Sequence, residues 1–140
     1  MKKKFSLLIL TLSLTLNSCY FGAGEIEVNL PGNYFLFGNN SVEETAIWFN
    51  TGEHSSDIII KETVFAVGYN KDFIIAKSFP KDSLKPLKDN FVHYHILAVN
   101  EKSPQKSSGM NFKEYKLKRD KLNLPYDLNF TIVFHEVAKN

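Results

Sequence analysis

The sequence predicts an α+β fold: an antiparallel β-sheet of about six or seven strands with one helix packed on it, after an N-terminal signal peptide. Three observations support this class. Short segments alternate apolar and polar residues with a period of two, as half-buried strands do. Turn residues such as Pro31 and Gly32 separate these segments. One capping signal, Asn111 followed by Glu114, begins the only convincing helical segment.

The N-terminal residues predict a secretory signal. Three lysines follow Met1, and an apolar run then extends from Phe5 to Leu16. This run is shorter than the roughly 20 residues that a membrane-spanning helix needs. The sequence Leu-Asn-Ser-Cys at 16–19 resembles a bacterial lipobox, which predicts cleavage between Ser18 and Cys19 and lipidation of Cys19. The alternative is an ordinary secretory signal that happens to contain a cysteine.

The lipobox divides the chain into three parts. Residues 1–18 are the predicted lipoprotein signal peptide, residues 19–24 a lipidated tether, and residues 25–140 a single α+β domain. We expect the protein to be lipid-anchored in the bacterial cell envelope, with the lipid membrane as its first partner. The residue after the cysteine is Tyr20 and not Asp. This favours the outer membrane if the host is Gram-negative.

The predicted strands cover residues 25–30, 34–37, 45–49, 57–69, 73–77, 91–99 and 127–138. Residues 30–33 fit a type II turn, in which Gly32 accepts a positive φ. The segment 57–69 forms one strand, or two joined by a bulge near Lys61 and Glu62. Residues 69–72 predict a tight hairpin turn with Asn70 in the left-handed conformation.

The helix is predicted near residues 111–123, ending at Asn123 and Pro125. Its predicted apolar side consists of Phe112, Tyr115, Leu117, Leu122 and Leu124. Its other side is basic, and either faces anionic lipid headgroups or an acidic partner, or is simply solvated. Charge is uneven overall: residues 20–70 carry a net charge of −6 and residues 71–140 a net charge of +5.

Aromatic residues concentrate in the predicted second and third strands. Trp48 and the run 34–37, Tyr-Phe-Leu-Phe, are apolar on both alternating faces. This pattern is typical of a central strand covered on both sides. The alternative is an aromatic binding surface.

Two motifs, Leu-Pro-Gly-Asn-Tyr at 30–34 and Val-Gly-Tyr-Asn-Lys-Asp-Phe-Ile-Ile-Ala-Lys at 67–77, resemble a family of small bacterial lipoproteins. That family is an uncharacterised domain of unknown function. The strand at 93–97 and the helical region at 112–128 extend the resemblance over most of the chain after the signal. The resemblance implies a lipid-anchored domain of this layout and brings no activity with it.

His93 and His95 form a His-x-His pair that is a candidate metal site. On a strand, residues i and i+2 point to the same side, and their imidazoles would lie roughly 6–7 Å apart. His135, on another predicted strand, would be a third ligand. The alternative is an outward-facing polar strip on the strand. A metal-binding or metal-dependent protein using these three histidines is therefore the second functional hypothesis.

Other chemistry has little support in the sequence. There is no Gly-x-Ser-x-Gly nucleophile motif, and no glycine-rich turn leads into a helix. The single cysteine excludes a disulfide framework, and a formal net charge of +2 gives no indication of nucleic-acid binding. We expect no catalytic residue, no enzymatic activity and no cofactor. The leading hypothesis is a non-catalytic envelope binding or protein-interaction module, with another envelope protein as a candidate partner.

Overall fold

The computed structural model describes residues 26–39, 41–61, 63–80 and 92–134. The first antiparallel sheet, sheet A, contains in spatial order β1 (Ile26–Asn29), β2 (Tyr34–Gly38), β3 (Ala46–Gly52) and β4 (Ser55–Ile60). Sheet B contains β5 (Thr63–Tyr69), β6 (Phe73–Phe79), β7 (His93–Ala98) and β8 (Ile132–Val133), in the spatial order β7-β6-β5-β8. A 3₁₀ turn (Val42–Glu44) precedes β3, and the helix α1 (Phe112–Lys121) precedes β8.

The α+β class is confirmed, with the strands divided between two sheets instead of one. The division falls inside the segment 57–69, which contributes β4 to sheet A and β5 to sheet B. The sequence left open whether this segment was one strand or two. The physical reason for two sheets is burial: a single helix covers one sheet face only, whereas two stacked sheets enclose apolar side chains from both.

The main core lies between the two sheets. Sheet A contributes Tyr34, Leu36 and Ile47, and sheet B contributes Val67 and Ile74, all of them buried. Thr45 joins the sheets where β3 begins, because its hydroxyl lies within hydrogen-bonding distance of the carbonyl oxygens of Val42 and Val64. This interface is sealed by aliphatic and aromatic packing, as expected for a two-sheet core.

One of the two predicted turns has the expected backbone conformation, and the other does not. Gly32 has φ of 71°, as the type II turn requires, and a Cβ there would lie 2.9 Å from the Val99 carbonyl oxygen. The left-handed conformation predicted for Asn70 is wrong, since Asn123 alone among the non-glycine residues described has positive φ. Asn70 instead shapes the hairpin with its side chain, whose Oδ1 accepts hydrogen bonds from the backbone N–H groups of Asp72 and Phe73.

The helix packs on the face of sheet B that points away from sheet A. Its capping box is confirmed, with two bonds of 3.0 Å between Asn111 and Glu114. Tyr115 is the one buried residue of the helix. The prediction that Leu117 belongs to the apolar side is wrong. Leu117 comes two residues after Tyr115 and therefore lies about 200° from it around the helix axis. Phe112 and Leu122 are also exposed.

The chain after the helix completes this layer. Leu124 and Leu128 are buried against Ile75 and Ile96 of sheet B. The backbone then crosses β5 so closely that a Cβ on Gly68 would lie 2.0 Å from the Asn129 carbonyl oxygen. The predicted last strand, 127–138, is represented by β8 alone, and its residues 135–138 lie outside the described part of the chain.

Several other predictions fall outside the described residues: the signal peptide, the tether, and residues 81–91, which include the start of the predicted strand 91–99. Within the described ranges, no helix has the length and apolar character needed to cross a membrane.

Candidate functional site

The predicted site residues are only partly described by the structure. His93 and His95 both lie on β7, with His93 half-buried and His95 fully buried. Ser18, Cys19 and His135 lie outside the described residues. In the described part of the chain, no group of three or more His, Cys, Asp or Glu side chains is arranged to hold a metal ion.

His95 lies at the centre of a buried hydrogen-bonded cluster. The Oγ of Ser78 is 2.7 Å from its Nε2, and the Oγ of Ser107 is 2.7 Å from its Nδ1. A neutral imidazole donates from one nitrogen and accepts at the other, so one serine accepts and the other donates. Both ring nitrogens are therefore occupied, and a metal ion would have to displace one serine.

The interpretation of His95 as part of an outward polar strip is wrong. It shares the inner face of sheet B with Leu97, because alternate residues of β7 point to the same side. Burial, followed by repulsion from His93 and Lys118, lowers the pKa of His95 to about 4. The imidazole is consequently neutral at physiological pH.

The loop before the helix is attached to both sheets through this cluster. The backbone N–H of Ser107 donates to the Ile59 carbonyl oxygen in sheet A at 2.8 Å, while its hydroxyl contacts His95 in sheet B. Gly109 lets the loop approach β7, since it has φ of 80° and a Cβ there would lie 2.7 Å from the His93 Cβ. We call Ser78, His95 and Ser107 the histidine latch, because they join the loop to the sandwich.

A Ser–His pair at this distance is the arrangement used in nucleophilic catalysis. In the latch, however, Ser78 and His95 have no exposed surface. The third member is a neutral serine, and a base with a pKa near 4 accepts a proton weakly. The chemistry of the latch is that of a satisfied buried polar network, which fixes structure.

The outer face of sheet A carries aromatic side chains instead of a second covering layer in the described part of the chain. Phe35, Phe37 and Trp48, which we call the aromatic face, are half-exposed. Phe35 stacks on Trp48 with ring centroids 6.3 Å apart, and Phe37 meets Trp48 edge-on at 6.4 Å. The Nε1 of Trp48 is buried with no acceptor among the described residues. The prediction of a strand covered on both sides holds for Tyr34 and Leu36, which belong to the core, and is wrong for these three residues, which no described segment covers.

The helix α1 and the turn after it form a second surface with exposed apolar groups. Leu117 is 62% exposed and Phe112 is 56% exposed, and Tyr126 just after the helix is 98% exposed. The exposed charged residues of the helix are Lys113, Glu114, Lys116, Lys118, Asp120 and Lys121. We call these residues the basic helix surface.

The two surfaces lie on opposite sides of a three-layer domain and differ in charge. Sheet A and α1 cover opposite faces of sheet B. The segment 26–61, which forms sheet A, contains five acidic residues and one lysine. The helix contains five basic and two acidic residues. The uneven charge predicted along the sequence thus becomes an uneven charge across the layers.

Sequence reasoning missed the two serines of the latch. Ser78 had a usable signal, because it continues the alternation of the buried residues Ile74 and Ala76 and so places a hydroxyl at an inward position. Ser107 had none, since nothing in the sequence connects a polar loop residue with His95.

Comparisons with known proteins address family membership and nothing finer. Residues 31–137 match a family model described as a protein of unknown function (DUF3997). Searches of curated proteins and of solved structures find no match. The matched region includes most of both sheets, the helix and the latch. The chain therefore belongs to the DUF3997 family, a domain of unknown function.

Proposed function

We propose that the protein is a bacterial lipoprotein, anchored through acyl chains on Cys19, whose domain binds another envelope protein and catalyses no reaction. The observation that carries the binding role is the aromatic face. Clustered half-exposed aromatic rings are characteristic of protein–protein contact surfaces, because they bury a large area with little loss of side-chain freedom.

The aromatic face has the layout of an interface centre with a polar rim. In the register of sheet A, Phe37 is opposite Glu27 and Phe35 is opposite Asn29. Both β1 residues are exposed. With the surplus of acidic residues in sheet A, this rim favours a partner whose surface is apolar at its centre and basic around it.

The absence of catalysis is supported by the latch. It is the described cluster that comes closest to a nucleophile and base, yet it is closed to solvent and contains a weakly basic imidazole. The same occupied nitrogens argue against His95 as a ligand in a site with His93 and His135.

Metabolic labelling tests the anchor. Cells that express the full chain are grown with an alkyne-bearing palmitate analogue, and the protein is isolated from the membrane fraction. We expect labelled wild type in that fraction, and an unlabelled Cys19→Ala variant that loses its membrane attachment. Wild type without label, recovered in the soluble fraction, contradicts the anchor.

Site-specific photo-crosslinking in cells tests the binding role. A photoreactive phenylalanine analogue replaces either Phe35, on the aromatic face, or Tyr69, a 42% exposed control at the end of β5. We expect a protein adduct of defined mass from position 35 alone, and its loss when Trp48→Ala is added. No adduct, or the same adduct from both positions, contradicts binding through the aromatic face.

A further inference from the structure

We propose that the partner protein binds by adding a strand along the open edge of β1, with a lysine or arginine opposite Glu27 and with its neighbouring surface over the aromatic face. This inference rests on the proposed function and deepens it, since it states the backbone form and the charge of the partner segment at that same surface.

The backbone of β1 is hydrogen-bonded on one side only. The N–H of Leu30 donates to the Tyr34 carbonyl oxygen at 3.0 Å, so Leu30 faces β2. Successive residues of an antiparallel strand direct their N–H and C=O groups alternately to the two sides, and Glu27 and Asn29 therefore face away from β2. In the described part of the chain, no residue hydrogen-bonds to the backbone groups of Glu27 and Asn29. These groups are available to a further strand.

The edge of β1 is also more regular than the other strand edges. β1 pairs with β2 in an unbroken register, whereas the pairing of β3 with β4 has two register shifts. Bulges of that kind turn a strand edge away from an added strand. In sheet B, Met110 already bonds to Tyr94 of β7, and β8 has two residues. β1 contains neither proline nor lysine, two residues that commonly protect an edge, and Glu27 is its one charged residue.

An added strand would continue the rows of side chains that cross sheet A. Glu27 and Phe37 lie in one row of the register. Asn29, Phe35 and Trp48 lie in the next. Directly paired residues of neighbouring strands point to the same side, so partner residues opposite Glu27 and Asn29 would lie beside the aromatic face. The backbone hydrogen bonds alone are a small contact, and the aromatic face supplies the apolar area that a stable complex requires.

Charge and area favour a different protein over a second copy of this chain. A basic side chain directly opposite Glu27 is favourable in an antiparallel pair. A second copy added through its own β1 would bring another glutamate and no basic residue to this edge. A two-fold axis between antiparallel strands is perpendicular to the sheet, so the two aromatic faces would lie side by side and neither would be covered. A basic partner segment satisfies both the charge and the apolar surface.

Mapping of photo-crosslinks tests the geometry of the added strand. The photoreactive phenylalanine analogue replaces Glu27 or Asn29 of the full-length protein in cells, with Phe35 as the reference and Tyr69 as the control position. The cross-linked peptides are sequenced by mass spectrometry. We expect positions 27 and 29 to link to one partner segment at residues two apart, since alternate residues of a strand share a side. The partner residue opposite position 27 should be a lysine or arginine.

Proline on β1 tests the backbone contact. Glu27→Gln removes the charge alone and should lower the yield of the adduct from position 35 by at most about fivefold, the range of a surface ion pair. Glu27→Pro also removes an N–H that faces away from β2, so the β1–β2 pairing is retained. We expect a further loss of about tenfold, because a partner carbonyl is left unpaired. Asn29→Pro removes the second outward N–H and repeats the test, and urea unfolding verifies that each variant is folded.

Four results would overturn the inference. Links three or four residues apart indicate a helical partner. A Glu27→Pro yield equal to that of Glu27→Gln indicates binding without an added strand. An adduct of twice the mass of this chain identifies a second copy, and a link within the chain identifies one of its own segments on the edge. In each case, a partner adduct from position 35 means that the proposed function stands and the added strand fails, whereas no adduct from position 35 contradicts the proposed function itself.

Discussion

The two faces of sheet B are covered by layers of very different thickness. The inner face packs against a complete four-stranded sheet, and aliphatic residues from both sheets are sealed between them. The outer face is covered by a ten-residue helix with one buried residue and by the chain from Leu124 to Phe130. Stability is therefore expected to come chiefly from the inner face. The thin outer layer leaves apolar and basic side chains exposed, and these are the groups available for recognition.

The substitution with the largest expected effect on stability tests how closely the chain after the helix packs against sheet B. Gly68→Ala would place a Cβ 2.0 Å from the Asn129 carbonyl oxygen, so backbone must move apart. We expect the free energy of unfolding to fall by about 4 kcal/mol, beyond the usual range for overpacking. Urea denaturation followed by circular dichroism measures it.

The control for this substitution is Gly52→Ala, where the nearest atom would be 3.5 Å away. It should change stability by less than about 0.5 kcal/mol. Equal effects of the two substitutions would mean that the chain at Asn129 is not held against β5.

Substitutions of two neighbouring residues of β6 compare how much each face of sheet B contributes to stability. Ile74 points into the inner core and Ile75 into the outer one, and both are fully buried. We expect Ile74→Ala to lower the free energy of unfolding by about 4 kcal/mol and Ile75→Ala by about 3 kcal/mol, since a thin layer collapses more readily into a cavity. Chemical denaturation of both variants measures the difference. A larger loss from Ile75→Ala contradicts the assignment of stability to the inner face.

Acid should weaken the inner face through the latch. His95 has a pKa near 4 when folded and an ordinary value of 6.5, so the unfolded chain binds more protons between these pH values. Stability attributable to His95 is complete above pH 6.5, falls as the pH drops, and is reduced by about 3 kcal/mol near pH 4. Denaturation midpoints measured from pH 7 to pH 4 report it.

The matched variants are His95→Gln, which should flatten this part of the pH profile, and His54→Gln at an exposed position, which should leave it as in wild type. A profile with the same slope in all three proteins refutes the contribution of the buried imidazole.

The smallest expected effect concerns the cap of the outer helix. Asn111→Ala removes the side chain that accepts from the Glu114 backbone N–H, and we expect a loss of about 1 kcal/mol. Thermal unfolding measures it, with Asn39→Ala, at an exposed position outside the helix, as the control. A loss much above this value would show that the outer layer depends on its helix more than its burial indicates.

The features that the sequence predicts correctly are those that local chemistry controls. The turn at Gly32 depends on a positive φ, and the helix start on two side chains three residues apart. The alternation around Ile74 likewise placed its side chains on opposite faces. Each of these signals is contained within a few consecutive residues.

The remaining features depend on contacts between distant segments. A fold with two sheets and a fold with one large sheet give the same alternating pattern in the sequence. The alternation does not show which layer a strand faces. The burial of His95 cannot be predicted locally, since Ser78 and Ser107, which satisfy its nitrogens, are 17 and 12 residues away. The apolar character of Leu117 predicts an inward position, although helical geometry alone points it away from Tyr115.

The loop that carries Ser107 also covers one edge of each sheet. Ser107 donates its N–H to Ile59 of β4, an edge strand, and Met110 exchanges two backbone hydrogen bonds with Tyr94 of β7, another edge strand. Exposed strand edges are templates for pairing with another chain. By hydrogen bonding to β4 and β7, one loop hinders the addition of a further strand at one edge of each sheet, and β1 and β8 form the opposite edges.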